Sequence, residues 1–127
     1  MGKWVRYLLI NSNELPIVKG CNYDKIQTML SELFGKEDAV LNHEAIHLGQ
    51  NENTVWIGFN EKSSLNKHEN RLLYFNSKRT SVGGVICGSF VILGYVNGDY
   101  VSLSIDQITT FKRLYGKRSI EDMKKAL

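Results

Sequence analysis

The most apolar stretch of the chain, residues 85–95, constrains the fold more than any other feature. Its length and its apolar character indicate a strand in the centre of a sheet, covered on both faces. The dipeptide Asn97-Gly98 follows and favours a two-residue hairpin turn, because both residues readily adopt a positive φ. The sequence therefore predicts a central strand that turns directly into an antiparallel neighbour at residues 100–103.

Four other segments have the composition of strands. Residues 4–10 alternate and then become continuously apolar, and residues 54–59 are rich in β-branched and aromatic side chains. Residues 71–76 have the same character. Residues 15–19 predict a short partner for the first strand, and Pro16 places this partner at an edge of the sheet.

The clearest helix is predicted between Asn22, a good N-cap, and Gly35, which lies just past the helix end. Its apolar residues recur on one stripe, which indicates that this stripe packs against the core. The residues of the stripe are Ile26, Met29, Leu30, Leu33 and Phe34.

A capping box predicts a second helix near the end of the chain. Ser104 and Gln107 form the box, and Gly116 ends the helix. Ser119 with Asp122 predicts the cap of a short, frayed C-terminal helix. The order of elements predicts an α+β fold with a mostly antiparallel sheet, one helix after the first strand and one or two C-terminal helices. We expect a single domain over residues 1–127, with a core at about 4–116 and a short helix at 117–127.

Composition sets limits on the class of protein. The chain has 127 residues and a net charge of +3, which disfavours a DNA mimic because such a protein needs a strongly acidic surface. No apolar run is long enough to span a membrane, and the start of the chain alternates like a strand, so we expect a cytoplasmic protein. Cys21 and Cys87 lack metal-type spacing, and we expect two buried or half-buried free thiols.

The letters His43-Glu44-Ala45-Ile46-His47 match the zinc motif H-E-x-x-H. On a helix this spacing places two imidazoles on one face to bind zinc, with the glutamate as general base. The alternation of residues 44–48 instead favours a strand, in which His43 and His47 would lie roughly 13 Å apart. The sequence favours a structural strand, and the zinc site stays as an alternative.

Two polar pairs flank the predicted loop at residues 61–70. Asn60-Glu61 ends one strand and Asn70-Arg71 starts the next, so pairing of these two strands would bring the residues together. Arg71 would then present a forked cation to a phosphate or a carboxylate. The alternative is structural, with Arg71 paired to Glu61 and the asparagines bonded to turn backbone.

A third candidate site is the short basic loop that contains Lys78, Arg79 and Gly83-Gly84. Exposed amides and cations in such a loop can hold an anion, although the loop lacks the pattern of a phosphate-binding loop. Gly88 and Gly94 interrupt the central apolar strand, which indicates a bulge, a bend or the close approach of another backbone. We favour a packing requirement at both glycines.

These residues together resemble a family of small domains of unknown function found in phages, conjugative elements and their Gram-positive hosts. The resemblance spans about residues 4–116 and rests on Asn60-Glu61, Asn70-Arg71, Asp99 and the glycine-bearing segment 88–94. Glu69 departs from the proline that family members usually carry before the Asn-Arg pair. The resemblance implies an accessory protein of a mobile element, and the family carries no activity that could be transferred to this chain.

The expected function is non-catalytic binding that disables a host defence. One form sequesters an anionic nucleotide signal, with Arg and Lys supplying charge and aromatic rings stacking the base. Its candidate residues are Asn60, Asn70, Arg71, Tyr74, Lys78 and Arg79. The alternative is an inhibitor that docks directly on a host defence protein, and a zinc hydrolase using His43 and His47 is the second alternative. We expect no cofactor, no membrane partner, no nucleic-acid partner and a homo-oligomer.

Overall fold

The computed structural model describes residues 3–34, 44–48, 51–58, 69–74 and 82–126. Within them the chain forms eight strands and three α-helices. The strands are β1 (Trp4–Ile10), β2 (Ile17–Asn22), β3 (Glu44–Leu48), β4 (Asn51–Gly58), β5 (Glu69–Tyr74), β6 (Val82–Cys87), β7 (Phe90–Val96) and β8 (Asp99–Val101). The helices are α1 (Ile26–Phe34), preceded by a 3₁₀ turn at Tyr23–Lys25, α2 (Ile105–Leu114) and α3 (Lys117–Ala126).

The strands form two antiparallel sheets. The main sheet has the order β2-β1-β7-β4-β3, and β8 pairs with the end of β7. The second sheet contains only β5 and β6 among the described strands. The predicted α+β class with a mostly antiparallel sheet is therefore confirmed.

The predicted single strand at residues 85–95 is wrong in one respect. The chain breaks at Gly88, whose φ of 76° lies in the left-handed region that side chains rarely adopt. β6 ends before the break in the second sheet, whereas β7 begins after it in the centre of the main sheet. An apolar composition does not reveal this change of sheet, because both halves are strands.

The turn after β7 is the predicted two-residue hairpin. Asn97 has a φ of 51° and Gly98 a φ of 81°, as the type I′ turn requires. Upstream of the turn, a Cβ on Gly94 would lie 2.7 Å from the carbonyl oxygen of Val101. Gly94 therefore permits β8 to approach β7 closely, in agreement with the packing requirement expected there.

Both faces of the main sheet are covered, since β1 sends alternate side chains to two separate clusters. One face packs on the second sheet and α2, through Leu8, Ile10, Val55, Ile57, Leu73, Ile86, Phe90, Ile92, Leu103, Phe111, Leu114 and Tyr115. The other face packs on α1, through Val5, Tyr7, Leu9, Ile26, Leu30, Trp56, Val91 and Leu93.

The helix ends agree with the sequence only in part. Ser104 and Gln107 make both bonds of the capping box, so the start of α2 is confirmed. Asn22 stands at the N-cap position of the 3₁₀ turn, but its side chain makes no capping bond. The predicted cap at Ser119 is wrong, because α3 begins at Lys117 and Ser119 lies buried inside it.

Two side chains of α3 are buried beyond the expected core boundary at residue 116. Met123 of α3 is buried, and Ser119 is fully shielded from solvent. Cys21 and Cys87 are free thiols of intermediate exposure, as predicted. Burial raises the pKa of both thiols. In the described part of the chain, every helix is too short or too polar to cross a bilayer.

Candidate functional site

The pair Asn70-Arg71 lies inside the protein at the start of β5. Asn70 is 3% exposed and Arg71 is 0% exposed. The amide nitrogen of Asn70 donates to the carbonyl oxygens of Ile10, at 2.9 Å, and Gly88, at 2.8 Å. Asn70 therefore joins the end of β1 to the break between β6 and β7, and it satisfies two backbone acceptors.

Arg71 uses its guanidinium to connect β5 with three other parts of the chain. Nε donates to Ser119 Oγ of α3 at 2.8 Å, and one terminal nitrogen donates to the carbonyl oxygen of Tyr115 at 3.2 Å. The same nitrogen donates to the carbonyl oxygen of Glu14 at 2.5 Å, in the turn between β1 and β2. The other terminal nitrogen donates to Asn70 Oδ1 at 2.7 Å. The arrangement uses the planar fork of arginine, which a lysine lacks.

The hydrogen bonds give Asn70 and Arg71 a structural role. Both side chains are already bonded to protein groups, and an external ligand would reach them only after these bonds opened. The candidate site required the strands before and after the loop to pair, and among the described strands β4 pairs with β3 and β7, whereas β5 pairs with β6. Arg71 bonds to the Glu14 backbone and to α3, whereas Glu61 lies outside the described residues, so its pairing with Arg71 stays a prediction.

Of the four remaining residues predicted to contact a nucleotide, one lies within the described part of the chain. Asn60, Lys78 and Arg79 lie outside the described residues. Tyr74 is the last residue of β5, in register with Val82 of β6. The structure therefore brings together Asn70 and Arg71 from the predicted set, and binding by the six residues stays a prediction.

The H-E-x-x-H letters fall mainly on a strand. Glu44–Leu48 is β3, and His47 is in register with Glu52 of β4. A zinc motif of this spacing depends on a helix to bring its two histidines to one face. His43 lies outside the described residues, and the described ranges contain no group of three potential metal ligands.

A tyrosine-rich cluster lies where the hairpin of β7 and β8 meets the turn before α1. Tyr23 Oη donates to Asp99 Oδ1, and this hydrogen bond raises the pKa of Tyr23. Burial raises the pKa of Tyr100, which packs edge-on against Trp56 at 5.2 Å between ring centroids. These contacts fix the hairpin to the α1 side of the main sheet.

A cavity of about 410 Å³ lies along the solvent side of α1. Its described lining comes from a single helix face, formed by Gln27, Thr28, Ser31 and Glu32. The four described lining residues include a carboxylate and no cation. An anionic nucleotide would therefore meet unfavourable charge in the described part of this cavity.

Apolar side chains are exposed on the hairpin formed by β1 and β2. Trp4 is 60% exposed, Leu15 61%, Ile17 39% and Val18 41%. The Trp4 indole lies against β2, because a Cβ on Gly20 would come within 2.6 Å of Trp4 Nε1. We call these four exposed residues, together with the free side of β2, the β2 edge.

The free side of β2 presents unpaired peptide groups. β2 has β1 as its one neighbour among the described strands. The amide of Tyr23 donates to the carbonyl oxygen of Lys3, and hydrogen-bonded positions alternate along an antiparallel pair. The peptide groups of Val18, Gly20 and Asn22 therefore point away from β1.

The sequence indicated the edge position of β2, but it did not predict that the apolar residues there are exposed. Pro16 predicted an edge strand, and Leu15, Ile17 and Val18 surround it. Apolar residues in a short strand are ordinarily assigned to the core. Their exposure accompanies the position of β2 at the margin of the main sheet, where β1 is its one neighbour among the described strands.

Comparison of the chain with models of known protein families, with curated proteins and with solved structures gives no match. The candidate site therefore depends on its own geometry.

Proposed function

We propose that this protein is a non-catalytic binding domain that docks on another protein through the β2 edge. The observation that carries the proposal is the exposure of Trp4, Leu15, Ile17 and Val18 beside the free side of β2. A free strand edge with exposed apolar side chains on both faces can bind a segment of another protein. An exposed edge strand also risks aggregation unless something covers it.

The charged groups of the described residues favour a protein target over an anionic nucleotide. Arg71, the central cation of the nucleotide hypothesis, is buried and bonded to Ser119 and to backbone carbonyls. The described cavity contributes Glu32 and no cation. Tryptophan is enriched among the residues that contribute most to protein interfaces, and Trp4 is exposed beside the edge.

The resemblance to domains of phages and conjugative elements indicates which kind of protein is bound. Under that resemblance, the docked protein is a component of a host defence, and docking inhibits it. The function as an inhibitor is therefore proposed from the resemblance, and the docking surface is proposed from the exposed residues.

Site-specific photo-crosslinking in the producing cell tests the docking function. A photoreactive phenylalanine analogue replaces Leu15 at the β2 edge, and the matched control carries it at Val85, which is 48% exposed on β6 in the second sheet. We expect one protein adduct from position 15 and none from position 85. The captured protein is then purified, and the complex is rebuilt from the two pure components.

The rebuilt complex gives the decisive measurement. We expect Ile17→Ser and Leu15→Ser to weaken the affinity by about tenfold or more, since each removes apolar contact at the edge. Val85→Ser should leave the affinity within about twofold. Equal crosslinking at both positions, or a stoichiometric nucleotide released when the protein is denatured, would overturn the proposal.

A further inference from the structure

We infer that the β2 edge binds its partner by strand addition, and that the added strand carries acidic residues between apolar ones. This inference rests on the proposed docking function. Strand addition uses backbone hydrogen bonds for affinity and alternate side chains for specificity. The peptide groups of Val18, Gly20 and Asn22, at alternate positions of β2, point away from β1 and are free to bond an added strand.

The charges of the two strands define the chemistry of the partner. β1 and β2 carry two cations, Arg6 and Lys19, and no acidic residue. Arg6 is in register with Gly20, and the neighbouring Lys19 is in register with Tyr7. Because adjacent residues of a strand point to opposite faces, each face of the edge carries one cation. An incoming strand with an acidic residue on each face would complement both.

The same charges disfavour a second copy of this chain as the occupant. An antiparallel pair of β2 strands centred on Gly20 would use the free peptide groups of both copies. It would also place the two Lys19 side chains on one face as diagonal neighbours. Diagonal neighbours lie within reach of each other when their side chains are long, so the two like charges repel. A partner with acidic residues has no such cost.

Trp4 gives the edge an apolar wall. Gly20 has no side chain, and the Trp4 indole lies against its backbone while remaining 60% exposed. The ring therefore reaches from β1 across β2 towards the free side. An apolar residue of an incoming strand would pack against this ring, and Val18 lies on the same face two residues away.

Selection of displayed random peptides on the purified protein tests the inference. Val18→Pro removes a backbone N–H that points away from β1, so the β1–β2 bonds are kept. Val18→Thr is the matched control, because it retains both the N–H and the β-branched shape. Circular dichroism and thermal unfolding establish that both variants are folded before binding is measured.

We expect enrichment of peptides that combine acidic and β-branched residues. Their affinity should be weaker by about tenfold or more in Val18→Pro than in Val18→Thr, because both variants change the side chain and Val18→Pro also removes the N–H. Lys19→Glu should shift the selection away from acidic peptides. Enrichment of basic peptides, no enrichment, or equal binding by Val18→Pro would overturn the inference.

The outcomes separate this inference from the docking function. If the protein crosslinked at position 15 binds Val18→Pro as tightly as the unsubstituted chain, docking stands and strand addition fails. If no protein is crosslinked there, the docking function itself fails. A dimer in sedimentation analysis that dissociates in Val18→Pro would identify a second copy as the occupant, and it would overturn the acidic partner.

Discussion

At the scale of single residues, Arg71 is a charged side chain of a type that is usually exposed, yet it is buried and connects separate parts of the fold. Its guanidinium lies at the meeting point of the β1–β2 turn, β5 and the junction of α2 with α3. A buried cation is costly unless hydrogen bonds replace its hydration. The carbonyl and hydroxyl groups around Arg71 provide that replacement, and they require a planar group with donors in several directions.

Replacing Arg71 by lysine should lower the free energy of unfolding by about 3 kcal/mol, because an ammonium cannot reach the separated acceptors at once. Denaturation in urea, followed by far-UV circular dichroism, measures the loss. The matched control is Arg118→Lys, since Arg118 is exposed on α3. We expect a change within about 0.5 kcal/mol there, and equal losses at the two sites would contradict the role of Arg71.

Asn70→Ala should cost about 1–3 kcal/mol, because it leaves the carbonyl oxygens of Ile10 and Gly88 without their amide donor. The same urea experiment applies. The control is Asn22→Ala, since Asn22 is exposed and its side chain makes no capping bond. A loss at Asn22 as large as the loss at Asn70 would argue against the two bonds as the cause.

Tyr23 and Tyr100 make the stability sensitive to alkali. Folding raises the pKa of both hydroxyls above 10.0, through the bond to Asp99 for Tyr23 and through burial for Tyr100. This contribution to stability is fully present below pH 10.0 and is lost as the pH rises through the folded pKa values. We expect the melting temperature to fall in that alkaline range, with a smaller fall in Tyr23→Phe. Identical alkaline profiles for the two proteins would exclude a contribution from Tyr23.

At the scale of elements, glycines decide where strands break and how closely they approach. Gly88 ends β6 and lets β7 enter a different sheet, because its φ of 76° suits a residue without a side chain. Gly94 stays within β7 and gives room to β8. The two glycines look alike in the sequence, yet one requires backbone freedom and the other requires space.

Gly94→Ala should destabilise the fold by about 1–3 kcal/mol, because the new Cβ would meet the carbonyl oxygens of Val101 and Ser102 at 2.7 and 2.9 Å. The contrasting change is Gly98→Asn in the hairpin turn. Nothing lies within 4 Å of a Cβ at Gly98, and asparagine tolerates its φ of 81°. Thermal unfolding should show a much smaller loss for Gly98→Asn, and the reverse order would contradict the steric account.

At the scale of the whole molecule, one apolar cluster crosses both sheets. It contains Leu8 and Phe90 of the main sheet, Leu73 and Ile86 of the second sheet, and Phe111 of α2. Arg71 adds polar bonds between the same parts of the chain. Neither sheet therefore has a core of its own on this side.

The shared cluster predicts a single cooperative unfolding transition. In Trp4→Phe, the fluorescence of the buried Trp56 and the far-UV circular dichroism should give the same urea midpoint. If the circular dichroism changed first while Trp56 fluorescence stayed native, the second sheet and the C-terminal helices would form a separate folding unit.

The sequence by itself determined most of the elements and their class. Local chemistry was sufficient for β1, the Asn97-Gly98 turn and the Ser104–Gln107 capping box, because each depends on residues close together in the chain. The prediction of a strand at β3 also needed only the alternation of residues 44–48. These features are fixed by backbone preference and by the period of the side chains.

Tertiary structure alone decided what the polar and apolar residues do. The sequence predicted Arg71 as a cation for a ligand, and packing buried it against carbonyl oxygens from segments up to 60 residues away. The sequence predicted that Leu15, Ile17 and Val18 belong to a short strand. The position of β2 at the margin of the sheet leaves these side chains exposed. Burial and exposure depend on which distant elements cover a residue, and no local pattern contains that information.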